Sequence, residues 1–301
     1  MTDRETRRGV SSCEVPLERG VALWRHTSIR AGGSARFYAR PTDVDSVRCL
    51  LRWARCHDLA HAILGGGSNV LFPDAGYDGL IVHTSELRGR LAEGTRVRVA
   101  AGERLAETAW WATKRGLSGL EWACGIPGSI GGAVAMNAGT RHGDMAGVLD
   151  SVALLTEGGS VDRVPARSLG LAYRTSALLS DDPPGVLIGA VFALTRGSAE
   201  ACRVRARSWI AERLERLPIG ASVGSVFRNP PTGPSAGELL EDAGCKGLRI
   251  GHAVVSTRHA NVIVNEGSDN AGDVMALIER MKRRVRDASG VELREEVVIY
   301  A

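Results

Sequence analysis

Three short polar groups carry the side chains that could move a proton or grip an anion. The stretch Ser222-Val223-Gly224-Ser225-Val226-Phe227-Arg228-Asn229-Pro230 sets hydroxyls, a guanidinium and an amide in a loop bounded by glycine and proline. Tyr173-Arg174-Thr175-Ser176 offers a second guanidinium beside an aromatic ring, and Arg294-Glu295-Glu296 places carboxylates near the C-terminus. Each has an ordinary alternative. A serine in such a loop is usually a turn residue, the Tyr-Arg-Thr-Ser group reads as a surface turn, and a Glu on a final strand normally faces solvent. No GxSxG elbow surrounds Ser225, which counts against a hydrolase nucleophile there.

A ligand for these side chains needs a bed, and the glycines supply a candidate. In Gly125-Ile126-Pro127-Gly128-Ser129-Ile130-Gly131-Gly132-Ala133-Val134-Ala135-Met136-Asn137-Ala138-Gly139, five of fifteen residues are Gly and none is charged. Such a stretch can turn backbone N–H groups toward a phosphate with no Cβ in the way, or it can form a packing seam between sheet and helix. A second glycine loop, Gly65-Gly66-Gly67-Ser68-Asn69, follows the strand-like Ala62-Ile63-Leu64 and completes a β-α-β unit. It is not the GxGxxG fingerprint, which opens a helix after a first strand, and no GxxxxGK[ST] loop occurs.

The elements that position these groups follow from local pattern. Arg36–Arg40 reads as a strand ended by Pro41. Thr42 and Asp45 form a capping box for a helix reaching about His57, with Val44, Val47, Leu51 and Ala54 on one face. Residues 80–195 alternate strands with one helix near 104–115, the pattern of an α+β domain with a largely antiparallel sheet. A helix over 199–217 carries Arg203, Arg205, Arg207, Arg213 and Arg216, most of them expected on a solvated face. Beyond it lie a proline-rich loop, a helix near 236–243 and strands at 253–256 and 261–264. A helix over 271–288 buries Val274, Leu277, Ile278, Met281 and Val285, and a strand over 293–300 closes the chain.

The totals narrow the class. At 301 residues the chain exceeds one core and predicts two or three domains. Its net charge of +4 is too small to imply nucleic acid, and no apolar run approaches the roughly 18 residues of a membrane span. The six cysteines show no metal spacing, so no metal site is expected and reduced thiols in the cytoplasm fit best. The polar, basic N-terminus lacks a signal-peptide apolar region.

Several of these pieces, in order, resemble the UDP-N-acetylenolpyruvoylglucosamine reductase (MurB) family. His26-Thr27-Ser28-Ile29-Arg30-Ala31-Gly32-Gly33 is similar to its NTSxRxGG element, Leu64 to Leu71 to its LGxGSNxL loop, and Gly119 to Gly139 to GLExxxGIPGxxGGAxxMNAG. Tyr173-Arg174-Thr175-Ser176, Gly224 to Pro230, Ala243-Gly244-Cys245-Lys246-Gly247 and Val255 to Asn261 follow in the family's order. The match runs from about residue 21 to the end.

The resemblance implies an α+β fold: a two-lobed FAD-binding domain of the vanillyl-alcohol oxidase type and a C-terminal α+β substrate-binding domain. The expected divisions are an arm over 1–20, lobes over 21–85 and 86–197, and a substrate domain over 198–301 whose last strand returns to the first lobe. It implies FAD, held non-covalently by Arg30, Gly65, Gly66, Gly67, Ser68, Asn69, Gly125, Ile126, Pro127, Gly128, Ser129, Ile130, Gly131 and Gly132. NADPH reduces the flavin, which passes hydride to C3 of the enolpyruvyl ether. Ser225 gives a proton to C2, with Arg228 or Lys246 stabilising the alkoxide. Arg174 clamps the carboxylate through its planar fork, and Glu296 helps polarise it. Tyr173, Arg216, Asn229 and Lys246 hold the UDP-sugar. The expected protein is a monomer or weak homo-oligomer with no nucleic-acid or membrane partner. One departure stands out: where the family usually has LEPEV, this chain has Leu293-Arg294-Glu295-Glu296-Val297. That keeps two other readings open, a related FAD oxidoreductase or oxidase with another substrate, and a nucleotide-binding module without catalysis.

Overall fold

The computed structural model describes residues 15–300; Cys13 and most of the expected N-terminal arm lie outside that range. The chain folds as two compact units. The first comprises residues 15–19, Phe37–Gly66 and Gly79–Glu212; the second comprises Gly20–Arg36, Gly67–Asp78 and 213–300.

In the first unit the strands Val161–Pro165, Leu149–Leu155, Val186–Ala193, Arg96–Ala100 and Arg90–Glu93 lie side by side in that order, all antiparallel. Alternation along these strands turns Val97, Val99, Val152, Leu154, Ala190 and Phe192 to one buried face. The helices Leu105–Thr113 and Ile130–Ala135 close over it through Leu105, Ala109, Ala112, Ile130 and Val134. Helix Val44–Cys56 buries Val47, Leu50, Trp53 and Ala54, and the strand His61–Leu64 that follows runs parallel to residues 80–83. Its cap is Asp43, whose carboxylate accepts the Ser46 N–H at 2.8 Å, and not the predicted Thr42. Thr42 instead donates its hydroxyl to Asp43. An adjacent carboxylate is the stronger acceptor for an N-terminal N–H.

The second unit packs helix Ala271–Ser289 beside the antiparallel strands Arg249–Ile250, Ala253–Val255 and Ile263–Asn265. All five residues of the predicted stripe, Val274, Leu277, Ile278, Met281 and Val285, are buried. Gly290 ends the helix at φ +73°, a conformation glycine adopts without strain. Helix Ala236–Asp242 begins with a capping box between Ser235 and Glu238. The final strand is short: Val298–Ile299 pairs parallel with Val70–Leu71, and the Tyr300 ring stacks on Phe72 at 4.6 Å. The fold is therefore α+β, as the pattern of elements predicts.

Two expectations need correction. Cys49 is disulfide-bonded, whereas Cys56, Cys124, Cys202 and Cys245 are free; sequence spacing does not report which thiols approach in space. Arg205 does not belong to a solvated basic face. It donates to the buried carboxylate of Glu121 at 2.5 Å, which also accepts the Gly119 N–H at 2.7 Å and the Ser118 hydroxyl at 2.8 Å. Among the described residues no helix is long and apolar enough to cross a membrane, and no group of three His, Cys, Asp or Glu could hold a metal.

Burial opposes ionisation of Glu121, but the bonds from Arg205, Gly119 and Ser118 outweigh it and hold the carboxyl down at about 2. A depressed acid contributes stability above its unfolded pKa and loses it as pH falls through the folded one. Glu121→Gln should cost about 3 kcal/mol at pH 7. The gap from the parent should narrow between about pH 5 and pH 2, as measured by urea unfolding.

Candidate active site

In the first unit the two glycine segments meet backbone to backbone. A Cβ on Gly65 would overlap the Ser129 hydroxyl, and one on Gly66 would lie 2.6 Å from Gly128 Cα. The Gly128–Gly131 turn is stitched down: Leu105 N–H donates to Gly128 O at 3.0 Å, Ile130 N–H to Glu103 O at 2.8 Å and Gly131 N–H to Ala101 O at 2.8 Å. Ser129 caps the short helix by accepting the Gly132 N–H, Ile130 is buried in the core, and Ile126 packs against it. Pro127 fixes the approach between them. Gly65, Gly66, Gly128 and Gly131 thus do serve as a packing seam. Gly132 is different, because a Cβ there would meet only Ser129 Oγ, at 3.6 Å. Among the described residues the N–H groups of Gly66, Gly128 and Ser129 donate to no protein acceptor. Unpaired N–H groups beside open space at a glycine suit a phosphate-bearing cofactor such as FAD.

The same unit mounts Arg174. Ala172 and Thr175 exchange both backbone bonds, N–H to O, at 3.1 and 3.2 Å, leaving Tyr173 and Arg174 at the tip of a tight turn. Arg174 sits at φ +54°, a strained conformation for a side chain without glycine's freedom. Its guanidinium donates to Gly139 O at 3.0 Å and Asn137 O at 3.4 Å and lies over the half-exposed Tyr173 ring. Asn137, buried and itself at φ +40°, donates to Ala172 O at 3.0 Å, while Ser176 Oγ donates to Ala135 O at 2.7 Å. The end of the glycine stretch therefore carries the arginine turn.

The second unit joins three of the predicted segments. Glu296 N–H donates to Val226 O at 2.7 Å and Arg228 N–H donates to Arg294 O at 2.9 Å, laying the C-terminal segment beside the serine loop. Asn69 Nδ2 donates to Glu296 O at 3.0 Å. Buried Asn261 clamps the serine loop from its other side, accepting the Phe227 N–H at 2.9 Å and donating to Phe227 O at 2.8 Å. Ser225 is half-buried, and its hydroxyl has no hydrogen-bond partner among the described residues. Gly67, at φ +63°, faces the His26 carbonyl so closely that a Cβ would overlap it, and its own carbonyl accepts the Ser28 N–H. Ser68 lies between this contact and Asn69. Arg30 occupies φ +57°, held there by Asn265, whose Nδ2 donates to Ile29 O at 2.8 Å.

The other predicted contacts are more ordinary. Asn229 accepts the Ala236 N–H at 3.1 Å, at the start of helix Ala236–Asp242. Lys246 is ion-paired with Glu241 at 2.5 Å, and Arg216 is exposed. Burial, then the charges of Arg216 and Lys246, push the His259 imidazole below its ordinary pKa, so it is neutral at pH 7. Of the two cations expected near Ser225, Arg228 has a buried Nε with no partner, an arrangement that is costly until an anion or acceptor arrives. Asn137, Asn261 and Asn265 escaped the sequence reading as site residues. All three are buried; Asn137 and Asn261 stand inside the motifs quoted above without an assigned role, and Asn265 is a lone amide after an apolar run.

Residues 35–164 match the model of an FAD binding domain, and residues 215–300 match the C-terminal domain of UDP-N-acetylenolpyruvoylglucosamine reductase. The UDP-N-acetylenolpyruvoylglucosamine reductase of Chloroflexus aurantiacus is 42% identical over 282 residues, covering 91% of this chain and 94% of its own. That of a Synechococcus species is 42% identical over 286 residues, covering 94% and 91%. The crystal structure of the Thermus caldophilus enzyme superposes with a TM-score of 0.81 at 32% identity, covering 95% of this chain and all of that one. A Physcomitrella patens protein, BBE-like 1, is similar in fold alone, with a TM-score of 0.60 at 14% identity.

Two glycine variants separate packing from cofactor binding. Gly66→Ala should destabilise the fold itself. Gly132→Ala has room within the protein and removes a helical glycine, so its apo form should melt no lower than the parent. Its FAD affinity should nevertheless fall at least about tenfold by titration of flavin fluorescence, a cost of about 1.4 kcal/mol. Unchanged affinity would mean that the open space at Gly132 does not receive the cofactor.

Proposed function

Because the chain belongs to the UDP-N-acetylenolpyruvoylglucosamine reductase family of FAD-containing oxidoreductases, we propose that it reduces the enolpyruvyl ether of UDP-N-acetylglucosamine to UDP-N-acetylmuramate, a peptidoglycan precursor, at the expense of NADPH. Bound FAD, once reduced, supplies the hydride that adds to C3. The residues of the chain do the rest.

Hydride addition at C3 pushes negative charge onto C2 and the adjoining carboxylate, so the site must stabilise an enolate-like oxyanion. Arg174 is the clamp for that carboxylate. Its backbone strain and its bonds to Gly139 O and Asn137 O fix the plane of the guanidinium before substrate arrives. Glu296, in its protonated form, donates a hydrogen bond to the same carboxylate. Ser225 transfers its proton to C2, so that hydride and proton add across the double bond and the serine recovers its proton from solvent. An alkoxide needs a cation, and Arg228 fits that need better than Lys246, which Glu241 already engages. Arg30, Gly65 to Asn69 and Gly125 to Gly132 are the FAD contacts, without a covalent tether. Tyr173, Arg216, Asn229 and Lys246 are the contacts for the UDP-sugar.

One observation carries this reading. The backbone of Glu296 is bonded to the serine loop through Val226 and to the second glycine loop through Asn69. A serine with an uncommitted hydroxyl, a carboxylate and a glycine loop are thereby held in one small region of the second unit, an economy with little purpose in a protein that only binds nucleotide.

Ser225→Ala should leave flavin reduction by NADPH within about twofold of the parent and slow reoxidation by the enolpyruvyl substrate by about 10³-fold. Stopped-flow measurement of each half-reaction decides it. An equal loss in both halves would make Ser225 structural.

A further inference from the structure

The departure at Arg294-Glu295 has a structural counterpart. Glu295 Oε1 accepts from Lys282 Nζ at 2.7 Å, and both side chains are largely buried, 28% and 25% exposed. Lys282 stands on helix Ala271–Ser289 at the edge of the stripe that is locked into the core of the second unit, so the ammonium is mounted on a rigid support. A further carboxylate, Glu279, lies 3.6 Å from the same nitrogen, one helical turn away. Glu296 follows directly, in a bend where its N–H and that of Val297 both donate to Val226 O, so anchoring Glu295 to the helix limits how Glu296 can be turned.

Backbone bonding shows what this contact adds. Glu295 lies opposite Phe227, and the pairing is carried by its neighbours: Arg294 O accepts from Arg228 N–H, and Glu296 N–H donates to Val226 O. The N–H of Glu295 is directed away from the serine loop and contributes no bond to it. A proline at this position would forfeit no backbone bond to the serine loop, and its ring would stiffen the segment by fixing φ. The family pattern usually has that proline. Here the chain lacks the ring and has the ion pair.

We propose that Lys282 and Glu295 are positioning residues that take over the proline's role, fixing the direction in which Glu296 is presented; the inference rests on the reading of Glu296 as an active-site carboxylate. Neither residue is among those assigned above to substrate or cofactor. The pair acts by removing a degree of freedom from the segment that carries Glu296, and a shift of about 1 Å at a reacting group can cost on the order of a hundredfold in rate.

Four holoenzyme variants test this, with flavin reduction by NADPH and reoxidation by the enolpyruvyl substrate measured separately. Lys282→Met should slow reoxidation about tenfold, chiefly in the limiting rate and not in the substrate concentration for half-maximal rate, while flavin reduction stays within about twofold. Glu295→Pro should remain within about threefold of the parent, and Lys282→Met combined with Glu295→Pro should return to that range, since the ring makes the lysine unnecessary. Loss of a merely stabilising ion pair would lower the melting temperature without this recovery of rate. The inference is overturned if Lys282→Met reoxidises as the parent does, or if the double variant is as slow as Lys282→Met alone. Glu296→Gln provides the separate check: a normal reoxidation rate in that variant would remove Glu296 from the site and with it the premise, whatever Lys282 does.

Discussion

Two backbones in the first unit approach so closely that neither tolerates a side chain. Gly66 meets Gly128, and Gly65 faces the Ser129 hydroxyl. Much of this unit's site follows from that contact. It sets where the first loop leaves its strand and where the second begins its helix, and the bonds from Leu105, Ile130 and Gly131 hold the second turn against residues 101–105. The same stretch continues to Asn137, which holds the turn that carries Arg174. The glycine stretch and the support of the Arg174 turn are therefore one continuous piece of chain. That placement also accounts for the strain at Arg174, because a turn fixed at Ala172 and Thr175 leaves its tip residue in the left-handed region.

The second unit reaches a comparable result with buried and half-buried amides. Asn261 holds the serine loop, Asn265 holds the segment with Arg30, and Asn69 holds Glu296. An amide both donates and accepts, so one side chain can pin two peptide groups of an irregular loop that no regular ladder would satisfy. The clamps act on the backbone of the segments that carry Ser225 and Glu296.

The regular elements were legible because periodicity is local. The stripe from Val274 to Val285, the alternation in the antiparallel sheet and the helices near 104–115 and 236–243 all stand in the structure close to where pattern places them. The motif residues were legible through resemblance. Less legible were contacts between distant positions: Arg205 with Glu121, Lys282 with Glu295, and the disulfide at Cys49. The closing strand is shorter than its pattern suggests: only Val298–Ile299 form a ladder, and residues 293–297 are an irregular segment held to the serine loop by three backbone bonds. The double nature of the glycine stretch was hidden too. Composition shows where a Cβ is absent, and only coordinates show whether protein or open space takes its place.

The central claim is that a flavin reduced by NADPH gives its electrons to an enolpyruvyl ether, and one anaerobic experiment tests it directly. The purified holoenzyme, bleached at about 450 nm by one equivalent of NADPH, is mixed with UDP-N-acetylglucosamine enolpyruvyl ether, and the return of the flavin band is followed. The account predicts full recovery of colour within a single turnover, with stoichiometric UDP-N-acetylmuramate. A flavin that stays bleached with that substrate and recovers only on admitting oxygen would contradict it.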